Sequence, residues 1–139
     1  LTPDWLFDLG LKPVATATVS TAKRLSILQP APHVITFKAA AIDDCLSRLG
    51  DKTGAVTRDL SSAEQIAEWA ASVSAEQIVT SYPPVGPVAD ILRGQWDIPL
   101  VRVLHDFDRD AWPHAKAGFF KFKEKIPHLL GNVRNLRLI

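Results

Sequence analysis

The chain has 139 residues, 47% hydrophobic and 22% charged, with 16 Lys and Arg against 15 Asp and Glu. These are ordinary values for one globular domain (residues 1–139), large enough to bury a core. They exclude a disordered tail, a collagen-like repeat and a highly charged nucleic-acid arm, and no apolar run is long enough to cross a bilayer. The opening segment LTPDWLFDLG carries two acids and no base, which reads against a secretory signal. The single cysteine, Cys45, allows no internal disulfide and suits a reducing compartment. The expectation is a soluble cytoplasmic domain. The sequence has no methionine, which points to a processed product or a piece of something longer.

Charge is unevenly spread. Residues 1–108 carry 9 Lys and Arg against 13 Asp and Glu, and residues 109–139 carry 7 against 2, so a net −4 precedes a net +5. A basic end of this kind is either a solvated helix face or a surface for an anionic partner.

In chain order, Pro3 and Asp4 predict a short helix to Leu9, closed by Gly10. Val14 to Val19 (VATATV) is rich in β-branched residues and predicts a strand. Ser26 to His33 holds two prolines and predicts a loop. Ile42, Cys45, Leu46 and Leu49 then fall at i, i+3, i+4 and i+7, one face of a helix stopped by Gly50. Ala55 to Arg58 predicts a second strand. Ser61 with Glu64 three residues on predicts a capped helix with Ile66, Trp69, Ala70 and Val73 inward. Gln77 to Tyr82 and Leu100 to Leu104 predict the third and fourth strands. Between them, Pro87 opens a helix whose Val88, Ile91 and Leu92 face the core. A last helix is predicted from Pro113 to Ile126, interrupted by Pro127. Strands alternating with helices imply right-handed βαβ units. The fold class is therefore α/β: a Rossmann-like three-layer α/β/α domain with a small parallel sheet of four to five strands, the fifth from upstream or from a partner segment.

Ligands of open parallel sheets bind at the carboxyl ends of strands. Ser81-Tyr82-Pro83-Pro84-Val85-Gly86-Pro87 follows the third strand, and Gly86 allows close backbone approach before a helix N-terminus. It lacks the lysine of a Walker loop and has only one glycine, so a proline-shaped turn is the competing reading. His105-Asp106-Phe107-Asp108-Arg109-Asp110 follows the fourth strand. Its acids either hold a divalent cation or, more simply, cap the next helix. His33, His105, His114 and His128 have no zinc-ligand spacing, and no serine lies in a GxSxG elbow. No catalytic residues and no metal ligands are assigned. In Gly118-Phe119-Phe120-Lys121-Phe122-Lys123-Glu124-Lys125, aromatics interleave with lysines, a pattern that can stack bases and meet phosphates or bury rings against a neighbouring element.

The run from Ile35 to Pro87 resembles the second half of the α/β domain of the photolyase/cryptochrome family. A helix ends in Leu46-Ser47-Arg48-Leu49-Gly50, a short strand leads to Asp59, a capped helix follows, and Ala75-Glu76 introduces a further strand. Gly118-Phe119-Phe120-Lys121-Phe122-Lys123 is similar to the Phe-x-Pro-Phe-Lys element that closes that domain, without its proline. The family's first-strand Trp-Phe-Arg-x-Asp-Leu-Arg signature and its FAD-binding helical domain have no counterpart in these residues. The resemblance thus implies an accessory domain of a DNA photolyase-like parent, not light-driven repair by this chain alone. It implies a flavin, deazaflavin or folate antenna as candidate ligand, with FAD held only through the helical domain. Asp59, Ser81, Tyr82 and Gly86 are the candidate cofactor-contacting residues. Phe119, Phe120, Lys121, Lys123 and Lys125 are the candidate surface for the helical domain or for DNA; no membrane partner is implied. A free-standing nucleotide-binding regulator with a fold like universal stress proteins is the alternative, as is a scaffold that binds nothing.

Overall fold

The computed structural model describes residues 4–7, 9–21 and 30–132. Leu1–Val103 and Leu104–Ile139 form two compact units. The first holds four short strands, β1 (Ala15–Val19), β2 (Ala55–Leu60), β3 (Ile78–Ser81) and β4 (Leu100–Val103). It also holds the helices α1 (Asp4–Phe7), α2 (Pro32–Leu49), α3 (Ala63–Ser72) and α4 (Pro87–Ile91). The second holds α5 (Asp106–Ala111), α6 (Phe119–Lys123) and α7 (Ile126–Asn132).

All strand pairing is parallel. β1 pairs with β2 from Ala15↔Ala55 to Val19↔Leu60, with an irregularity between Ala17 and Val19. β3 pairs with β4 from Ile78↔Leu100 to Ser81↔Val103. Among the described residues no ladder joins the two pairs, so the chain forms two two-stranded parallel sheets instead of one sheet of four or five. A parallel pair requires a crossover connection, and α2 provides it between β1 and β2 and α4 between β3 and β4.

Burial explains why these segments fold as they do. Ile66 and Ala70 of α3 lie four residues apart and join Ile78 of β3 and Leu92 behind α4 in one buried cluster. Val19, Leu60, Val88, Ile91, Trp96 and Leu100 pack around it. Of the predicted inward residues of α3 and α4, Ile66, Trp69, Ala70, Val88, Ile91 and Leu92 belong to this core, whereas Val73, half-buried at the C-cap of α3, does not. Helix α2 behaves differently: Ile42, Cys45 and Leu46 are half-buried and Leu49 is buried, as their spacing predicts, yet Phe37 is 74% exposed. The helix begins at Pro32, so the predicted loop ends before His33; residues 26–29 of that loop lie outside the described residues. Proline at the first helical position gives up only a donor that has no intrahelical partner.

Other boundaries move for local reasons. The cap of α3 is Ser62, whose hydroxyl accepts from the Gln65 N–H at 3.2 Å, while Gln65 Oε1 accepts from the Ser61 N–H at 2.8 Å. The cap thus falls one residue on from the predicted Ser61 and Glu64, and Gln65 reaches back to Ser61, the residue before the cap, in place of the reciprocal bond of a capping box. The helix expected from Pro113 to Ile126 is broken instead. Gly118, with extended ψ, caps α6, and Pro127 stands as the second residue of α7, starting a helix where it was expected to stop one.

Gly54 marks a close approach. Its φ is +62°, and a Cβ there would sit 2.7 Å from the Val14 carbonyl oxygen, a backbone atom that cannot swing aside. Gly54→Ala is therefore expected to destabilise the chain by more than about 1 kcal/mol. Gly131→Ala, where nothing lies within 4 Å, is expected to be neutral or to gain up to about 1 kcal/mol. Urea denaturation of the two variants measures the contrast.

Candidate functional site

The carboxyl end of β3 runs into Tyr82, Pro83 and Pro84, and two prolines in succession hold that exit extended and unable to add another strand hydrogen bond. Tyr82 N–H still donates to the Val103 carbonyl at 2.8 Å, so the segment leaves the sheet directly after Tyr82. Gly86 then caps α4 with φ +136°, a conformation that strains any L side chain, and its carbonyl accepts from the Asp90 N–H at 3.0 Å.

This turn walls an open hollow of about 110 Å³ lined by Tyr82, Pro83, Pro84, Val85, Ala89, Arg93 and Arg102. Arg102 enters from β4, directly across from Thr80, and donates to the Leu92 carbonyl. Arg93 pairs with Asp90 at 2.7 Å across one helical turn, with both side chains largely in solvent. A phenol ring, proline faces and two guanidinium groups make a small surface suited to a flat anionic group. It lies at the strand end where open α/β sheets receive ligands.

Of the candidate contact residues, Tyr82 lines this hollow. Ser81, exposed, is the last residue of β3, and Gly86 shapes the turn without lining the hollow. Asp59 belongs to the other strand pair. It stands near the end of β2 with φ +61°, held by donation of its N–H to Thr18 Oγ1 at 3.1 Å. A non-glycine residue in that region is uncommon, aspartate being among those that tolerate it best. Asp59 is not among the residues that line the hollow.

Sequence reasoning missed Arg93 and Arg102. The signal for Arg102 was a lone cation inside the apolar run LVRVL, a residue a strand carries only if its head group has somewhere to go. A second and larger open hollow, about 360 Å³, lies by Gly10, Lys12, Asp51, Lys52 and Gly54, at the starting ends of β1 and β2. Those are the amino ends of the first strand pair, whereas the Tyr82 turn follows the carboxyl end of β3.

The second unit accounts for the acids after β4. Asp106 and Asp108 occupy the first turn of α5, and His105 Nδ1 accepts from the Phe107 N–H at 3.0 Å. Arg109 pairs with Asp106 at 2.7 Å and with Asp110 at 3.3 Å. The cluster therefore caps a helix and answers its own charge. Among the described residues no group of three His, Cys, Asp or Glu could hold a metal ion. Cys45 is half-buried on α2.

Helix α6 carries the aromatic and basic stripe. Phe119 and Phe120 are 66% and 80% exposed, their rings edge to face at 5.8 Å. Phe122 is half-buried, and Lys121, Lys123 and Lys125 are exposed. Burial in this unit is supplied by Ala111 of α5 and Leu129 of α7 instead.

Compared with protein-family models, curated proteins and solved structures, the chain matches none of them. No helix among the described residues is long and apolar enough to cross a membrane.

Exposure separates stability from function in this unit. Replacing Phe119 and Phe120 together by serine is expected to change unfolding free energy by no more than about 0.5 kcal/mol. Leu129→Ala is expected to cost about 2–5 kcal/mol. Thermal and denaturant melts of both variants give the comparison.

Proposed function

We propose that this chain is an accessory Rossmann-like α/β domain related to the photolyase/cryptochrome family. It docks on a FAD-binding helical module and carries a flat anionic chromophore or nucleotide at the carboxyl end of its strands. The observation that carries the docking half is the exposure of Phe119 and Phe120 beside three exposed lysines. Two large rings in water, adjacent in sequence, make an apolar patch of the kind a partner surface covers. Support for the ligand half comes from Tyr82, Arg93 and Arg102 around one hollow at the end of β3. The ring can stack on a flavin or pterin and the guanidinium groups can meet its phosphate or carboxylate.

The chain's own residues bind and orient in this reading and transfer no atoms. The test is optical. Added FMN or a reduced folate is expected to show a shifted near-ultraviolet and blue spectrum with the wild-type chain. Tyr82→Ala is expected to weaken that binding about ten-fold or more, in line with a stacking contribution of about 1–3 kcal/mol. Ligand spectra left unchanged by the wild-type chain would sink the chromophore half.

The lysines of α6 and Lys125 just after it favour a second reading, contact with DNA. A Lys121, Lys123 and Lys125 to alanine variant is then expected to bind duplex DNA more weakly. Its dependence on salt is expected to flatten by about 0.9 in log–log slope for each phosphate the lysines no longer neutralise. Unchanged DNA affinity would remove the nucleic-acid reading and leave the docking role to the phenylalanines.

A further inference from the structure

Leu92 sets the geometry of the two arginines at the Tyr82 hollow. It is 4% exposed and belongs to the core cluster, so its carbonyl at the end of α4 is held in place. That carbonyl accepts from the Arg102 guanidinium and, at 3.4 Å, from Trp96 Nε1. It is also the carbonyl of the peptide bond that leads into Arg93. The guanidinium delivered by β4 is thereby tied to the backbone next to the residue that carries the other one, and both arginines line the same hollow. Arg102 uses part of its donor fork on this neutral acceptor and pairs with no acid among the described residues. Arg93 pairs with Asp90 alone, at 2.7 Å. The set therefore holds two cations against one carboxylate.

Size decides what these cations meet. The hollow is about 110 Å³, against about 300–1,000 Å³ for sites that enclose a whole small ligand. A flavin, pterin or purine ring system is not enclosed in it, whereas a single tetrahedral anion is. Tyr82 lines the hollow and is still 44% exposed, which leaves ring surface for the body of a ligand outside. Charge then chooses between anions. One guanidinium fork satisfies both oxygens of a carboxylate. Two guanidinium groups from different elements suit a phosphate monoester, which offers three terminal oxygens and about −1.5 to −2 charges at pH 7.

We propose that the Tyr82 hollow is a phosphate-monoester site, in which Arg93 and Arg102 read the phosphate and the ring attached to it stays outside. Arg102 determines the specificity, because the Leu92 carbonyl orients its guanidinium before any ligand arrives. Asp90 is a competitor within the fold, since its carboxylate holds the Arg93 fork that a phosphate would take. This inference rests on the ligand half of the proposed function and narrows it. FMN or a nucleoside monophosphate engages both arginines; riboflavin, a nucleoside or a carboxylate-bearing folate does not.

The test follows the amide signals of Arg93 and Arg102 by NMR in the full chain, a readout that serves colourless and coloured ligands alike. In titrations at fixed salt, FMN and AMP are expected to bind about ten-fold or more tightly than riboflavin and adenosine. Arg102→Lys keeps the charge and loses the fork, and is expected to bring FMN and AMP down to the level of their phosphate-free partners. Asp90→Asn is expected to tighten both phosphate esters about two- to five-fold, a gain that a misfolded variant does not produce. Phosphate dependence in either pair supports the inference, and the tighter of FMN and AMP identifies the source of the phosphate. Equal affinity within both pairs would overturn it while leaving a flavin site in place. Binding of AMP with none of FMN would do the reverse: the chromophore is lost and the phosphate site stands. Signals that none of the four ligands moves, full FMN and AMP affinity in Arg102→Lys, or weaker binding in Asp90→Asn would each overturn it as well.

Discussion

Ile66 and Ala70 of α3, one helical turn apart, anchor the first unit, because the cluster they form with Ile78 and Leu92 draws apolar side chains from all four strands. Each strand is only four to six residues long, and a lone two-stranded parallel pair has no stability of its own in water. Backbone pairing does not hold β1-β2 against β3-β4, since among the described residues no ladder runs between them. The apolar underside of α3 does that instead, and its own start is fixed by Ser62 and Gln65. Burial of a few branched side chains therefore carries a constraint that hydrogen bonds carry in a continuous sheet.

That division of labour places the candidate site. The Tyr82 turn is rigid because Pro83 and Pro84 end β3 and Gly86 bends the chain into α4, whose Val88 and Ile91 are anchored under the core. Arg102 is delivered by β4 to the same place through the Thr80 register. The hollow is thus assembled from a strand end, a turn and a neighbouring strand, all tied to one cluster. The α6 surface is a separate matter: its rings are not needed by the small core of its own unit, which leaves them available to a partner.

Much of the element order was legible. β-branched runs such as VATATV and QIVTSY announce strands because crowded Cβ atoms prefer the pleated backbone. Ile66 and Ala70, or Ile42, Cys45 and Leu49, announce helix faces by their spacing. Pairing was not legible, since short apolar strands of four to six residues specify no neighbour by composition. The break-up of the C-terminal helix turned on Gly118 and on Pro127 starting a helix, both of which fit either an end or a beginning. At the site, Tyr82 and Gly86 were visible as turn chemistry, but Arg93 and Arg102 come from elements that only the fold brings to Tyr82. The reversed backbone at Asp59 depends on Thr18, forty-one residues away, and no local pattern encodes it.

The exposed phenylalanine of α2 bears on how the molecule unfolds. Seven hydrophobic residues are buried among those described, while Phe37 on the longest helix stands in water. The heat capacity of unfolding follows newly exposed apolar surface, and so does the steepness of a denaturation curve. With so little surface left to expose, heating should loosen the chain gradually over a wide span of temperature, and cold should disturb it little.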